Sequence, residues 1–363
     1  MNKSLIPTLP DALNNLIFQF LKQRLPSGET PNFQVYPLTP DGSDRLYYRI
    51  NCPGNEPFIA VDAQGTSPKN PLSGISQNQS FILIRNHLAN EDFPVPELLA
   101  QDLNGDFYLL QDLGDTTLYQ TVKTKGWKPQ TVELYKDTIS LLLRVQTIAA
   151  EKFDPTWCYA GAYYDQQLII EHELNYFLKA FVMGHCGKKI SPATQPPLQS
   201  EFKKIVAAAA TTPSNFFLYR DFQSKNLMLK DGRIFLIDFQ GTRLGPYYYD
   251  LAALINDPYT DIPLPLREEL LTDYFDKLAV ILKTDAPDRK TFNYFFALFS
   301  LIRTLQTLGA FGYLIGCRKN HFKEYIQPAL KNLRHYLNKL SSDLDLPALT
   351  LLVAKLKISQ EIS

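Results

Sequence analysis

The chain is poor in the residues that mark several large protein classes. Its 363 residues include four cysteines, three methionines and two tryptophans. Cys52, Cys158, Cys186 and Cys317 stand far apart, without metal-ligand spacing, and read as reduced intracellular thiols. The five histidines form no pair at helical ligand spacing, so His172 and His185 read as packing or surface residues. A charge excess of either sign is also missing, with 37 Lys+Arg against 37 Asp+Glu. That excludes the broad basic face on which a nucleic acid or an anionic membrane would settle. The N-terminus has Lys3 and then prolines, with no apolar core of the secretory kind. The longest apolar-rich stretch, Phe292 to Leu314, is interrupted by Arg303, Gln306 and two glycines. It reads as a buried helix and not a membrane span, and the expected compartment is the cytoplasm.

What is present is core-forming material: 45% of the residues are hydrophobic and 12% aromatic. That much chain suffices for two packed units, expected at residues 1–110 and 111–363. After Pro10-Asp11, Leu13, Leu16, Ile17, Phe20 and Leu21 recur at helical spacing. Short β-rich runs follow at Phe33 to Leu38, Leu46 to Ile50, Phe58 to Val61 and Phe107 to Leu110, with a helix at about Gln77 to Leu88 among them. From Thr131 onward the pattern turns helical, with apolar faces at Leu134 to Val145, Leu168 to Phe181, Phe292 to Leu314 and Pro328 to Leu340. The proline-rich stretch Ile190 to Pro197 is expected to be a loop.

The chemistry is concentrated in Tyr219-Arg220-Asp221-Phe222-Gln223-Ser224-Lys225-Asn226 and, soon after, Ile237-Asp238-Phe239-Gln240. An Asp five residues before an Asn, followed by a strand-borne Asp-Phe, is the spacing that phosphoryl transfer from ATP needs. Asp221 can take the proton of an acceptor hydroxyl, while Asn226 and Asp238 can offer hard oxygens to Mg²⁺. Between them, Leu227-Met228-Leu229 and Ile234 to Ile237 flank Asp231-Gly232, a two-residue hairpin signal. Such a hairpin would carry Asn226 and Asp238 back to the same end. The apolar strand Phe107 to Leu110 turns polar at Gln111-Asp112-Leu113-Gly114, as a segment that bonds an adenine edge would, which makes Gln111 and Leu113 nucleotide-binding candidates. Thr39 to Arg45 lies between two strand candidates, and the backbone N–H groups of Gly42, Ser43 and Asp44 could cradle phosphate, although a plain hairpin turn uses the same letters.

Taken together, these stretches resemble the aminoglycoside phosphotransferase family of small-molecule kinases. Within it they are most similar to the bacterial cell-wall amino-sugar kinases, which act on the anomeric hydroxyl of N-acetylmuramate and N-acetylglucosamine. The likeness runs through Gly42 to Arg49, Leu109 to Gly114, Tyr164-Asp165, Glu173 to Phe177, Arg220 to Met228, Asp238-Phe239-Gln240, Gly245-Pro246, Tyr249-Asp250-Leu251 and Arg303-Thr304-Leu305 with Gly309 and Phe311. It implies an α+β, bilobal protein-kinase-like fold with a small β-rich N-lobe and a larger, mostly helical C-lobe. It also implies ATP and Mg²⁺ as cofactors and an amino sugar as the small-molecule partner, in a monomer or weak dimer.

By the same likeness Tyr164, Asp165 and Glu173 line the acceptor pocket, Arg220 anchors the catalytic loop, and Asp250 caps a helix or accepts bonds from that loop. Arg303, a lone charge in an apolar stretch, requires a partner, either a carboxylate of the C-lobe or an anionic substrate. Two departures stand out. Tyr219 replaces the usual His before Arg-Asp, and the strand Phe58 to Asp62 lacks the phosphate-binding Lys. Arg45 or Lys69 is expected to neutralise the phosphates instead. Other acceptors (an aminoglycoside, choline, another sugar) and a nucleotide-binding pseudokinase scaffold are the alternatives that the residues leave open.

Overall fold

The computed structural model describes residues 9–26, 28–39, 45–65 and 74–356. Gly42, Ser43 and Lys69, three of the nucleotide candidates, lie outside the described residues. The chain divides into two compact units, and the fold class is the expected α+β, kinase-like one. The first unit comprises Met1–Thr117, Asp154–Ala162 and Leu227–Gly241.

In this first unit α1 (Asp11–Lys22) turns Leu13, Ile17, Phe20 and Leu21 inward. They pack on Ile50, Phe58, Ala60, Phe107 and Leu109 of an antiparallel sheet. Its strands are β1 (Gln34–Leu38), β2 (Leu46–Asn51), β3 (Phe58–Asp62), β4 (Leu98–Gln101) and β5 (Phe107–Gln111), in the order β1-β2-β3-β5-β4. The edge strand β4 is not among the expected elements. It is four residues long and bulged between Leu98 and Ala100, so it shows no sustained alternation. Helix α2 (Gln77–Asn90) starts at a capping box in which Ser76 and Gln79 satisfy each other's backbone. The hairpin Leu227–Lys230 with Arg233–Leu236 forms in the register Leu227↔Leu236. Its two turn residues, Asp231 and Gly232, both have positive φ (50° and 74°), as a type I′ turn requires.

The second unit comprises Leu118–Phe153, Tyr163–Asn226 and Thr242–Ser363 and is mostly helical. Its helices are α3 (Leu118–Lys125), α4 (Pro129–Ile148), α5 (Gln166–Leu168), α6 (Gln195–Ala209), α7 (Tyr248–Ile255), α8 (Leu264–Leu282), α9 (Arg289–Gly316), α10 (Ile326–Leu340) and α11 (Pro347–Ala354). The proline-rich stretch is not all loop, because Pro196 and Pro197 occupy the first turn of α6, where a missing N–H costs nothing. Helix α9 is long and apolar enough to cross a membrane by length and composition, and 78% of its most apolar window is buried inside the protein.

The segment expected as one α-helix over Leu168 to Phe181 departs from that geometry. After α5 it runs as π-helical turns, Ile169–Leu174 and Phe177–His185. Asn175 N–H donates to Ile170 O, five residues back. The wider turn places Ile169 and Leu174, five apart, inward together and buries Glu173 beside Leu174. Helix α9 meets this segment at Gly309 and Gly312. A Cβ at Gly312 would lie 2.5 Å from Ala180 O and 2.8 Å from Phe181 Cα, so only glycine admits the approach. Gly312→Ala should therefore force the two elements apart and destabilise the protein by roughly 1–3 kcal/mol. Denaturant unfolding of the variant measures it, and an unchanged midpoint would refute the close packing.

Candidate active site

In the second unit the segment Arg220 to Asn226 is a loop ending in a 3₁₀ turn, Ser224–Asn226. Arg220 has φ +84°, a strained value for a non-glycine residue, so its surroundings must hold it there. They do so through Asp250, on α7 and fully buried. One Asp250 oxygen accepts the Tyr219 N–H at 2.6 Å and the other accepts the Arg220 N–H at 3.0 Å. Burial pushes the Asp250 carboxyl up to about 7, against the two N–H bonds that favour its ionised form. Helix α7 has its N-cap at Tyr247, so the Asp250 carboxylate serves the loop. Tyr219, fully buried, packs edge-on against Phe222 with ring centroids 5.3 Å apart. Further along, Ser224 N–H donates to Asp257 Oδ2 at 2.8 Å, a second carboxylate bolt on the same loop.

Asp221 itself keeps 40% of its side chain exposed. Its Oδ1 accepts Arg303 Nη2 at 3.1 Å. Arg303, buried in α9, also donates to Gln223 Oε1 at 3.5 Å and to Gln306 Oε1. Of the two partners open to Arg303, the structure therefore supplies a carboxylate. Asn226 commits its Nδ2 to Asp221 O at 3.0 Å, which leaves Oδ1 as the atom that a hard cation would take.

Behind the loop lies a charged cluster. Glu173 is fully buried, accepts the Tyr249 hydroxyl at 3.1 Å on both oxygens, and stands 3.7 Å from Arg220 Nη2. It is therefore no solvated helix face. Burial pushes its carboxyl up to about 7, opposed by Arg220, Arg303 and the Tyr249 hydroxyl. The Tyr164 ring lies tilted against Tyr249 with centroids 5.0 Å apart, and its hydroxyl and Arg220 Nη1 have no hydrogen-bond partner among the described residues. Asp165 caps α5 by accepting the Leu168 N–H at 2.8 Å.

The first unit holds the remaining site candidates. Asp238 has φ +65°, and Gln240 Nε2 donates to its Oδ1 at 2.7 Å. Next to it Phe239 stacks on Phe81 of α2 at 5.0 Å, and Phe81 stacks on Tyr108 of β5 at 5.2 Å. This column of rings fixes the strained Asp-Phe pair. Arg45 is 2% exposed and donates from Nη2 to Asn78 Oδ1 at 3.3 Å. Asn78, in the first turn of α2, passes the link on to Ala63 O at 2.9 Å. Burial disfavours the Arg45 cation, but its neighbours Tyr108, Tyr47 and Asp238 outweigh that and hold its pKa above the ordinary arginine value.

Gln111 N–H donates to Glu97 O at 2.9 Å, and Gln111 Oε1 accepts the Glu97 N–H at 3.4 Å. Leu113 is buried. The adjoining Asp112 is held by Arg49 in a forked pair of 2.5 and 3.0 Å. Asn78, Phe81, Asp257 and Arg49 are site-building residues that the motif spacing does not flag. The signal available for Asn78 was a polar residue in the first turn of α2, ahead of the apolar Phe81 and Ile84 that turn inward with it.

The profile of the phosphotransferase enzyme family matches residues 70–285. A relative in Pseudomonas aeruginosa, described as an N-acetylmuramate/N-acetylglucosamine kinase, is 27% identical over 250 residues, which span 69% of this chain and 68% of that protein. Among solved structures, a choline kinase from Cryptosporidium parvum superposes with a TM-score of 0.57 at 12% identity, covering 93% of this chain and 98% of that one. An ADP-bound aminoglycoside phosphotransferase does so with a TM-score of 0.56 at 13% identity, covering 90% and 99%. At these identities the two structures speak for the fold alone.

The buried Glu173 generates a pH prediction. Its carboxyl titrates near 4.5 when unfolded and near 7 when folded, so the neutral form is the one the fold prefers. The associated stability is complete below about 4.5, is lost as pH rises towards 7, and is gone above it. Relative to the parent, Glu173→Gln should gain up to roughly 3 kcal/mol between those limits and then level off. Denaturant unfolding of both proteins from pH 4.5 to 8 checks this, and a difference that stays flat across the window would contradict it. Asp250 titrates in the same window in both proteins and cancels in the comparison.

Proposed function

As this chain belongs to the phosphotransferase enzyme family, the one known for its aminoglycoside phosphotransferases, we propose that it is an ATP- and Mg²⁺-dependent sugar kinase of the cytoplasm. Its acceptor is a reducing N-acetylated hexosamine, N-acetylmuramate or N-acetylglucosamine, phosphorylated on the anomeric hydroxyl in cell-wall sugar recycling. The observation that carries the reading is Asp221. It is a partly exposed carboxylate on a strained loop, paired with the buried Arg303 and bolted through Asp250 and Asp257.

A base in that position takes the acceptor's proton as its oxygen attacks the terminal phosphorus and ADP leaves. An anomeric hydroxyl is more acidic than other sugar hydroxyls, which suits a carboxylate base. Arg303 orients Asp221 through its Nη2. Asn226 Oδ1 and the Asp238 carboxylate are hard oxygen donors of the kind that Mg²⁺ takes. The metal, when bound, would neutralise charge on the β- and γ-phosphates. Arg45 supplies the fixed cation that the strand at Phe58 lacks, tied to α2 through Asn78. The name of the Pseudomonas aeruginosa relative supports the choice of acceptor. Glu173 and Tyr164, buried among aromatic rings and Arg220, act as the floor that shapes the acceptor site.

Asp221→Asn should keep nucleotide affinity and lose about 10²–10⁴-fold in turnover, the usual range for a general base. Near-normal turnover would refute the assignment. Because Arg303 serves Asp221, Arg303→Ala should slow phosphorylation of both sugars. A loss confined to the acidic N-acetylmuramate would place Arg303 on the substrate instead.

Arg45→Ala should raise the KM for ATP with little effect on that for sugar, and unchanged ATP kinetics would remove Arg45 from the phosphate site. The acceptor atom is tested by comparing each sugar with its 1-O-methyl glycoside. Equal phosphorylation of the blocked and free sugars would exclude the anomeric oxygen, and nucleotide binding without transfer to any sugar would favour a pseudokinase scaffold.

A further inference from the structure

The residue just before Asn226 has an unusual setting. Lys225 Nζ stands over four aromatic rings, 4.4 Å from the centroid of Tyr259, 5.3 Å from those of Phe322 and Tyr325, and 5.4 Å from that of Tyr119. The rings come from three separate pieces of the second unit: α3, the turn after α7, and the 3₁₀ segment Asn320–Tyr325. They also brace one another. Tyr119 and Tyr325 share a hydroxyl hydrogen bond of 2.9 Å, Tyr259 packs edge-on to Tyr325 at 4.6 Å, and Phe322 stacks on Phe311 of α9 at 5.5 Å. Asp257 ties this cage to the loop, because its two oxygens accept the Ser224 N–H at 2.8 Å and the Tyr259 N–H at 2.9 Å.

A lysine has a flexible four-carbon stem and ordinarily keeps its strongly hydrated ammonium in water. Drawing it over ring faces fixes the stem and pins the backbone at its root, an attraction that grows as the cation is desolvated. We infer that the aromatic cage around Lys225 is a positioning device for the loop that presents Asp221 and Asn226. Lys225 is here a positioning residue, acting through its two neighbours in sequence. Asn226 is joined to Asp221 O, so a shift at Lys225 reaches both residues. The inference deepens the kinase reading and rests on it for the roles of Asp221 and Asn226.

The test uses the full chain and two pairs of variants, Lys225→Met with Lys225→Arg and Tyr259→Leu with Tyr259→Phe. Each is followed by amide hydrogen exchange and by steady-state kinetics with ATP, Mg²⁺ and N-acetylglucosamine. Lys225→Met and Tyr259→Leu should speed exchange across residues 221–228 by about tenfold, the scale of a partly buried cation–π contact, while α4 and α9 exchange as in the parent. The same two variants should lower kcat by a similar factor and leave the KM for sugar in place. Lys225→Arg and Tyr259→Phe, which keep a cation and a ring, should stay near the parent in both measurements.

Unchanged exchange over 221–228 in Lys225→Met and Tyr259→Leu would overturn the proposal. So would a kcat loss in Lys225→Arg as large as in Lys225→Met, because that would make the amine itself a contact. Should Lys225→Met not fold, the Tyr259 pair decides alone. If the parent transfers no phosphate, the kinase reading fails, while the exchange data still judge whether the cage holds the loop.

Discussion

Burial of charge is the constraint on which the rest of this structure depends. In the second unit Arg303, Glu173 and Asp250 lie out of water and Arg220 is mostly covered, and each charge removed from solvent costs several kcal/mol unless it is met by partners. The fold meets that cost with direction-specific bonds. Asp250 takes two backbone N–H groups of the loop, Tyr249 gives its hydroxyl to Glu173, and Arg303 reaches Asp221 and Gln223. Such a network tolerates few alternative arrangements, because any shift leaves a charge uncompensated. The loop can therefore carry Arg220 at positive φ without relaxing.

Packing of α9 against the π-helical segment supplies the frame for that network. An ordinary α-helical register would spread Ile169, Glu173 and Leu174 more widely around the axis and would not gather them as closely on one inward face. The widened turn does, and it delivers Glu173 to Tyr249 and Arg220. Gly309 and Gly312 let α9 approach closely enough to cover this segment, and the same helix carries Arg303 about two turns before them. One close helix contact thus sets the positions of a carboxylate and a guanidinium that share a cluster.

The sequence made the elements with strong local signatures legible. The stripe of α1, the Asp-Gly turn of the hairpin and the Asp-x4-Asn spacing each follow from short-range chemistry, and the structure has the helix and hairpin where those signals put them. Elements that depend on distant partners were harder to see. Strand β4 exists because β5 offers a paired edge, not because four bulged residues prefer extension. The π-helical turns pack closely on the glycines of a helix more than a hundred residues away. Helix α8 is a different matter: its buried Leu270, Leu271, Tyr274 and Leu278 recur at helical spacing, a signal that prolines near its start obscure. The Asn78 link of Arg45 and the four-ring cage of Lys225 each need residues from several segments, and no spacing rule gathers those.

The contrast between Asp221 and its supports is functionally telling. The carboxylate that would meet substrate is partly exposed, while Asp250, Asp257 and Glu173 behind it are sealed from solvent. A reactive group that must exchange protons with a ligand requires access, yet a group that must point accurately requires rigid surroundings. Those demands conflict within one side chain and are met by dividing them between residues. Burial raises the carboxyls of Glu173 and Asp250 to about 7, while Asp221, next to Arg303, is the carboxylate of the cluster that a ligand can reach. The buried carboxylates thus shape the site electrostatically as well as mechanically: by resisting ionisation they limit the negative charge that would otherwise crowd the base.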